Sequence, residues 1–306
     1  MSEKSLSNLG ASVRQRLRNR AREDGTDFEV ILCNYALERL LYRISRSKYR
    51  DGFVLKGAML FRVWSEEPHR ATRDLDLLAY CGSAAEEVVA VFRILCAVSV
   101  EDDGLEFQAD SLRTEEIRED QEYGGVRVRL YTMLGATRIP LKIDIGFGDV
   151  VTPAAEELSY PTILGLPAPV IRAYPKEAVI AEKFHAMVAL GMADSRMKDF
   201  YDIYVLAAGT EFDGHRLGSA FKATFNRRTT LIPSGVPTAL SPEYSGDALK
   251  RAQWKAFAGG GNVRLSSVTL NEVIRLLGLF LLPPANSVAQ GRRFDGKWVP
   301  PGPWDS

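Results

Sequence analysis

Arg73-Asp74-Leu75-Asp76-Leu77-Leu78 is the stretch on which the reading of the fold turns. Leucines at 75 and 77 between acidic residues at 74 and 76 are the alternation of a half-buried strand, predicted around Leu75–Ala79. Residues two apart in a strand point to the same side, so Asp74 and Asp76 present two carboxylates together while the leucines face a core. Adjacent carboxylates repel, and burial raises the cost unless a cation neutralises them. Hard divalent ions such as Mg²⁺, which take oxygen ligands, suit such a pair. An isolated Asp-x-Asp is more often exposed or paired with arginine, so the pair needs company to carry a function.

Company comes from Leu141-Lys142-Ile143-Asp144-Ile145, a second alternating stretch that places Lys142 and Asp144 on the face opposite its apolar residues. If that strand neighbours the first, three carboxylates converge, an arrangement suited to two-metal phosphoryl or nucleotidyl transfer. Upstream, Phe53-Val54-Leu55 reads as a strand closed by Lys56-Gly57, with a helix starting over Ala58–Trp64. Glycine there allows close approach, and a helix N-terminus offers free N–H groups to a phosphate.

The remainder of the chain bounds the class. At 306 residues, with 46% hydrophobic and 25% charged residues, it has the composition of a soluble globular enzyme rather than of a disordered chain. No clean apolar run reaches a bilayer span, since Leu276–Leu282 stops at Pro283-Pro284, and the polar N-terminus has no signal-peptide core. Cys33, Cys81 and Cys96 show neither disulfide nor zinc spacing, so the expectation is a reduced, cytoplasmic protein without membrane contact. Charge balances at zero overall but not locally. Residues 1–50 carry eleven basic against six acidic residues, including Arg14, Arg16, Arg18, Arg20 and Arg22, and the chain from Arg216 onward carries twelve against five. Glu101–Glu122 compensates with ten acidic residues, expected to be largely exposed. Basic ends of this kind are compatible with a polyanionic partner or with solvated helix faces.

Helices are predicted over 5–23, from a Thr26/Glu29 capping box through Ile44, from a Ser83/Glu86 box through Cys96, and over Lys176–Leu190, Lys198–Ala208 and Thr269–Leu282. Strands are predicted near Leu105–Phe107 and at Val126–Leu130, and 210–265 reads as irregular with helical pieces. Strands and helices mix first and helices follow, which gives an α+β class. The expected division is a basic helical lead-in at 1–50, a core at 51–165 with a mixed sheet, a mainly helical domain at 166–284 and a loose Gly/Pro-rich tail at 285–306, with the junction in Pro153–Pro169.

The order strand, Lys-Gly, helix, loop, Asp-x-Asp strand and later single-Asp strand resembles the polymerase-β-type nucleotidyltransferases. More specifically, FVLKGAML (53–60) with RATRDLDLL (70–78), IDIGFGD (143–149), AEKFHAMV (181–188) and SRMKDFYDIYVL (195–206) resemble the AbiEii/AbiGii toxin family, which includes MenT-like toxins. The leading segment from about Asn8 is similar as well. This resemblance implies a polymerase-β-like core and a toxin of a bacterial toxin–antitoxin or phage-defence pair. Its activity would be Mg²⁺-dependent transfer of an NMP unit from NTP to the 3′ end of tRNA, blocking translation. It also implies a cognate antitoxin. Asp74, Asp76 and Asp144 would bind the metal, and Lys183 would bind the triphosphate, oriented by Glu182. Lys56, Gly57, Arg73, Lys198, Asp199 and Asp202 would complete the nucleotide site. Ala58 departs from relatives that carry a second glycine or a hydroxyl residue there.

Two other readings share the core: transfer to a protein or small molecule, and a non-catalytic nucleotide- or RNA-binding relative. A hydrolase finds little support, because His69, His185 and His215 form no H-x-x-x-H and no nucleophile elbow is present. His185 reads as a packed or pocket-rim residue rather than a general base.

Overall fold

The computed structural model describes residues 3–64, 70–80, 82–117, 124–260 and 267–305, so His69 and Cys81 lie outside the described residues. The chain divides into two compact units. The first comprises Met1–Asp149 and Ala155–Tyr174, and the second Val150–Ala154 and Pro175–Ser306. Most of the proline-rich segment expected to separate two domains therefore belongs to the first unit, because its backbone supplies an edge of the sheet.

Helices α1 (Glu3–Glu23) and α2 (Phe28–Ser45) open the first unit. Val13, Leu17 and Ala21 recur at four-residue spacing along α1 and are buried. The cap of α2 is Asp27, not Thr26: its carboxylate accepts from the N–H groups of Glu29 and Val30, one residue closer to the first turn than the threonine. Beyond it lie β1 (Phe53–Lys56), α3 (Phe61–Trp64), β2 (Asp74–Ala79), α4 (Ala85–Cys96), β3 (Leu105–Ile117), β4 (Gly125–Leu134), β5 (Thr137–Phe147), β6 (Glu156–Ser159) and β7 (Val170–Ala173). Helix α4 starts after Ala84 with no side-chain cap, which leaves the expected Ser83 one residue too early to serve.

The seven strands form one mixed sheet in the order β3-β4-β5-β2-β1-β7-β6. Strand β2 runs parallel to β5 and antiparallel to β1, so the Asp-x-Asp strand is central. Its Leu75 and Leu77 are wholly buried, as are Ile143 and Val128 on neighbouring strands. β4 and β5 are longer than the alternation alone predicted and form a hairpin turning at Gly135-Ala136, with Gly135 at φ 55°. β3 is thirteen residues long where a short strand was expected.

The acidic stretch is not uniformly exposed. Asp103 is buried and takes ion pairs from Arg39 at 3.2 Å and Arg43 at 2.6 Å, two arginines on the inner side of α2. Beside them Glu38 accepts from the backbone N–H of Ile163 at 2.8 Å. Burial pushes the Glu38 carboxyl up to about 7.

The second unit contains α5 (Lys176–Leu190), α6 (Met197–Gly209), α7 (Gly214–Arg227), α8 (Pro242–Gly246), α9 (Ala248–Ala258) and α10 (Leu270–Ala289), so the 210–265 region is more helical than its sequence suggested. Helix α10 begins at a true capping box, Thr269 with Glu272, and runs through Pro283 and Pro284 instead of ending before them. The prolines lose backbone bonds, but Pro284 and Ala285 are buried, and that packing holds the last turns. At twenty residues α10 is long and apolar enough to cross a membrane by composition, yet Val273, Leu277, Phe280 and Leu281 are buried inside the unit. The tail is packed rather than loose. Trp298 is fully buried and donates to the carbonyl of Ala207 at 2.7 Å, and Trp304 stacks on Phe280.

Candidate active site

Parallel pairing of β2 with β5 sets Asp76 opposite Asp144 and Asp74 opposite Lys142. Asp74 and Asp76 share a face by strand alternation, so the three carboxylates expected to converge do lie on one face of adjacent strands. The register extends further. Lys56 on β1 pairs with Asp76, Arg127 on β4 with Asp144, and Glu115 on β3 with Arg127. One row of charged side chains thus crosses five strands in the sequence plus, minus, minus, plus, minus.

Cations within the sheet hold two of the carboxylates. Lys142 brings its Nζ to 2.8 Å from Asp74 Oδ2. Arg127 forks Asp144, with Nε donating to Oδ1 at 2.7 Å and Nη2 to Oδ2 at 2.9 Å. Its Nη1 donates to Glu115 at 3.3 Å. The hydrogen bond to Asp144 raises the Arg127 pKa above its already high ordinary value, and the group is a permanent cation.

Asp76 is packed against Gly57. That glycine has φ 74°, and a Cβ placed on it would stand 2.0 Å from Asp76 Oδ2. The close approach read from the sequence is therefore an approach to a carboxylate of the same unit. From Gly57 the chain makes a short 3₁₀ turn to Leu60, and the α-helix proper, α3, starts at Phe61 rather than at Ala58. Lys56 stands 3.6 Å from Asp149 and lies over the Tyr174 ring at 5.3 Å. Arg73 is exposed, with its guanidinium 3.8 Å from the capping carboxylate Asp27. Cys33 donates to the carbonyl of Arg73 at 3.5 Å, and burial pushes its thiol up to about 11, as befits a core residue.

Asp74, Asp76 and Asp144 offer the hard oxygen donors that Mg²⁺ takes, so the residue types fit such an ion. Among the described residues, no three acidic, histidine or cysteine side chains are gathered closely enough to hold a metal ion as they stand.

The second unit gathers Lys183, Asp199 and Asp202. The Lys183 ammonium lies 2.5 Å from Asp199 and 2.8 Å from Asp202, with the lysine 12% exposed and both aspartates essentially buried. Burial by itself lowers the lysine pKa, but the carboxylates of Asp202 and Asp199 outweigh it and the net direction is upward. Arg196 adds a second cation to Asp199 at 2.7 Å, while Lys198 is exposed. His185 is buried. Arg228 donates to its Nδ1 at 3.3 Å, so Nε2 carries the proton toward Thr230 at 3.0 Å. Burial and the Arg228 charge pull it down to about 4, so the imidazole is uncharged at neutral pH.

The family described as nucleotidyl transferase AbiEii toxin, of type IV toxin–antitoxin systems, matches residues 39–267. This chain belongs to the AbiEii family. As a member it is a nucleotidyltransferase and the toxin side of a toxin–antitoxin pair. The match spans β1 through α9, and so takes in both the acidic face of the first unit and the lysine–aspartate cluster of the second. No curated protein matches the sequence. Two solved structures from Helicobacter pylori align with it. One, described as a nucleotidyltransferase, has 14% identity and a TM-score of 0.46, with 86% of this chain and 94% of its own covered. The other, JHP933, has 15% identity and a TM-score of 0.44, with 84% and 89% covered.

The residues that sequence reasoning missed are Arg127 and Glu115. Val126-Arg127-Val128-Arg129-Leu130 does show its alternation, which puts Arg127 on the polar face, but the partner across the strand pair is not visible in it.

Proposed function

We propose that this AbiEii nucleotidyltransferase transfers an NMP unit from an NTP to the 3′-terminal hydroxyl of tRNA, and that the acidic face of its first unit is the catalytic centre. The observation that carries the reading is Asp76 in register with Asp144, with Asp74 two residues away on the same face. Side by side, carboxylates cost stability, and a sheet that needed only to fold has no use for them. Mg²⁺ held by Asp74, Asp76 and Asp144, in a two-ion arrangement, would supply neutralisation of the triphosphate and a more acidic acceptor hydroxyl.

In the transfer the acceptor oxygen attacks the α-phosphorus, the bond from that phosphorus to the bridging oxygen breaks, and pyrophosphate leaves. The hydroxyl proton departs toward the acidic face, where Asp144 favours its removal. Lys56 places a cation in the same row, where it draws the triphosphate's negative charge. Gly57 lets the Asp76 carboxylate sit against the main chain without a Cβ in the way. RNA is favoured as acceptor by α1, whose exposed Arg16, Arg20 and Arg22 suit phosphate contacts. A modified 3′ end cannot be aminoacylated, so the outcome for the cell is a block of translation, relieved by the cognate antitoxin that the family implies.

The test is mass spectrometry of total tRNA after incubation with each NTP and Mg²⁺. A gain of one or more NMP masses, lost after removal of the 3′ end by nuclease, is the expected result. Nucleotide found on protein or a small molecule, with tRNA unchanged, contradicts the choice of acceptor.

A further inference from the structure

Asp144 is not an idle carboxylate: a guanidinium already occupies it. We propose that Arg127 is a resident counter-ion on Asp144 which a divalent cation has to displace, and that Glu115 is the carboxylate to which the guanidinium withdraws. The inference rests on the reading of Asp144 as a metal ligand.

Three observations carry it. First, the fork engages both Asp144 oxygens, at 2.7 and 2.9 Å, so an incoming ion meets a carboxylate whose charge is already balanced. Because a guanidinium does not deprotonate, this competition persists at any working pH. Second, the alternative partner is in place. Glu115 is Arg127's register neighbour on the far side from Asp144 and already accepts from its Nη1 at 3.3 Å. Third, the exchange needs no movement of the strand. Val126 and Val128 on either side of Arg127 are buried and fix β4, so only the arginine side chain has to turn. Glu115 is about half exposed and shared with Arg129 at 2.9 Å, which makes it a weaker holder than Asp144 until Asp144 takes a metal.

The experiment is Mn²⁺ binding to the full-length protein without NTP, followed by electron paramagnetic resonance, with a thermal melt of each variant. Arg127→Met frees Asp144 and is expected to tighten Mn²⁺ binding by about tenfold, the scale of a charge-assisted hydrogen bond removed from competition. Arg127→Lys keeps a cation but cannot fork, and falls between. Glu115→Gln removes the second partner, keeps the guanidinium on Asp144 and weakens binding. Opposite signs for Arg127→Met and Glu115→Gln are what a mere cross-strand pair does not produce. If Arg127→Met fails to fold, Arg127→Lys and Glu115→Gln carry the same comparison. Unchanged binding in these variants, or shifts of the same sign, overturns the inference while Asp144→Asn still abolishes binding. Unchanged binding in Asp144→Asn overturns both the inference and the metal reading beneath it.

Discussion

Asp76 and Asp144 face each other across the parallel strands β2 and β5, in the middle of a seven-stranded sheet. Like charges directly opposite one another destabilise a sheet, here offset by Lys142, Arg127 and the neighbouring Lys56. Replacing either carboxylate with its amide keeps the shape and removes the charge. Asp76→Asn and Asp144→Asn are expected to lower transfer by about a hundredfold or more, with thermal unfolding showing both proteins folded.

Gly57 gives a backbone test of the same site. Gly57→Ala adds a methyl group 2.0 Å from Asp76 Oδ2 at a φ of 74°, which L side chains rarely adopt. The expected cost is about 1–3 kcal/mol in chemical unfolding, with activity lost as the carboxylate is pushed from its place. Normal stability together with normal activity contradicts the packing described.

How much of this was legible in the sequence depends on the range of the interaction. The strand, its two-residue alternation and the carboxylate pair could be read from six residues, and Asp144 from five more, because strand periodicity is local. The Arg127–Asp144 fork was nearly legible. Once the turn is placed at Gly135-Ala136, counting seven residues outward from the Leu134–Thr137 pair reaches Arg127 on one side and Asp144 on the other. The missing step was the turn, which carries no Asn-Gly or Asp-Gly signature. Parallel pairing of β2 with β5 joins segments about seventy residues apart, and no local pattern sets that register. Capping shifted by one residue at Asp27 and at Ala84, the usual latitude of helix ends. The tail differs for another reason: its Gly and Pro content reads as loose, while Trp298 and Trp304 are held by packing against α6 and α10.

The second unit has its own electrostatic test. Lys183 is the shared partner of two buried aspartates. Lys183→Met removes the cation that Asp199 and Asp202 share, and is expected to destabilise by about 3–5 kcal/mol. Adding Asp202→Asn to it restores charge balance, and the double variant should recover part of the loss in a denaturant titration. Additive losses contradict the coupling.

Two buried groups tie stability to pH with opposite signs. Glu38 is raised by burial from 4.5 to about 7, so its contribution is full below about 4.5 and is lost as pH rises through 7. His185 is lowered from 6.5 to about 4, so its contribution is present above 6.5 and is lost as pH falls through 4. In thermal melts between pH 4 and 8, Glu38→Gln should remove the decline on the alkaline side and leave the acid side unchanged. An identical profile for wild type and variant shows that Glu38 does not titrate as described.

The most direct measurement is transfer of label from α-³²P NTPs to purified tRNA, run side by side with wild type and folded Asp76→Asn. The acidic face as catalytic centre predicts label on tRNA with the wild type and almost none with the variant. Equal labelling by the two proteins places the chemistry elsewhere and contradicts the assignment of the acidic face.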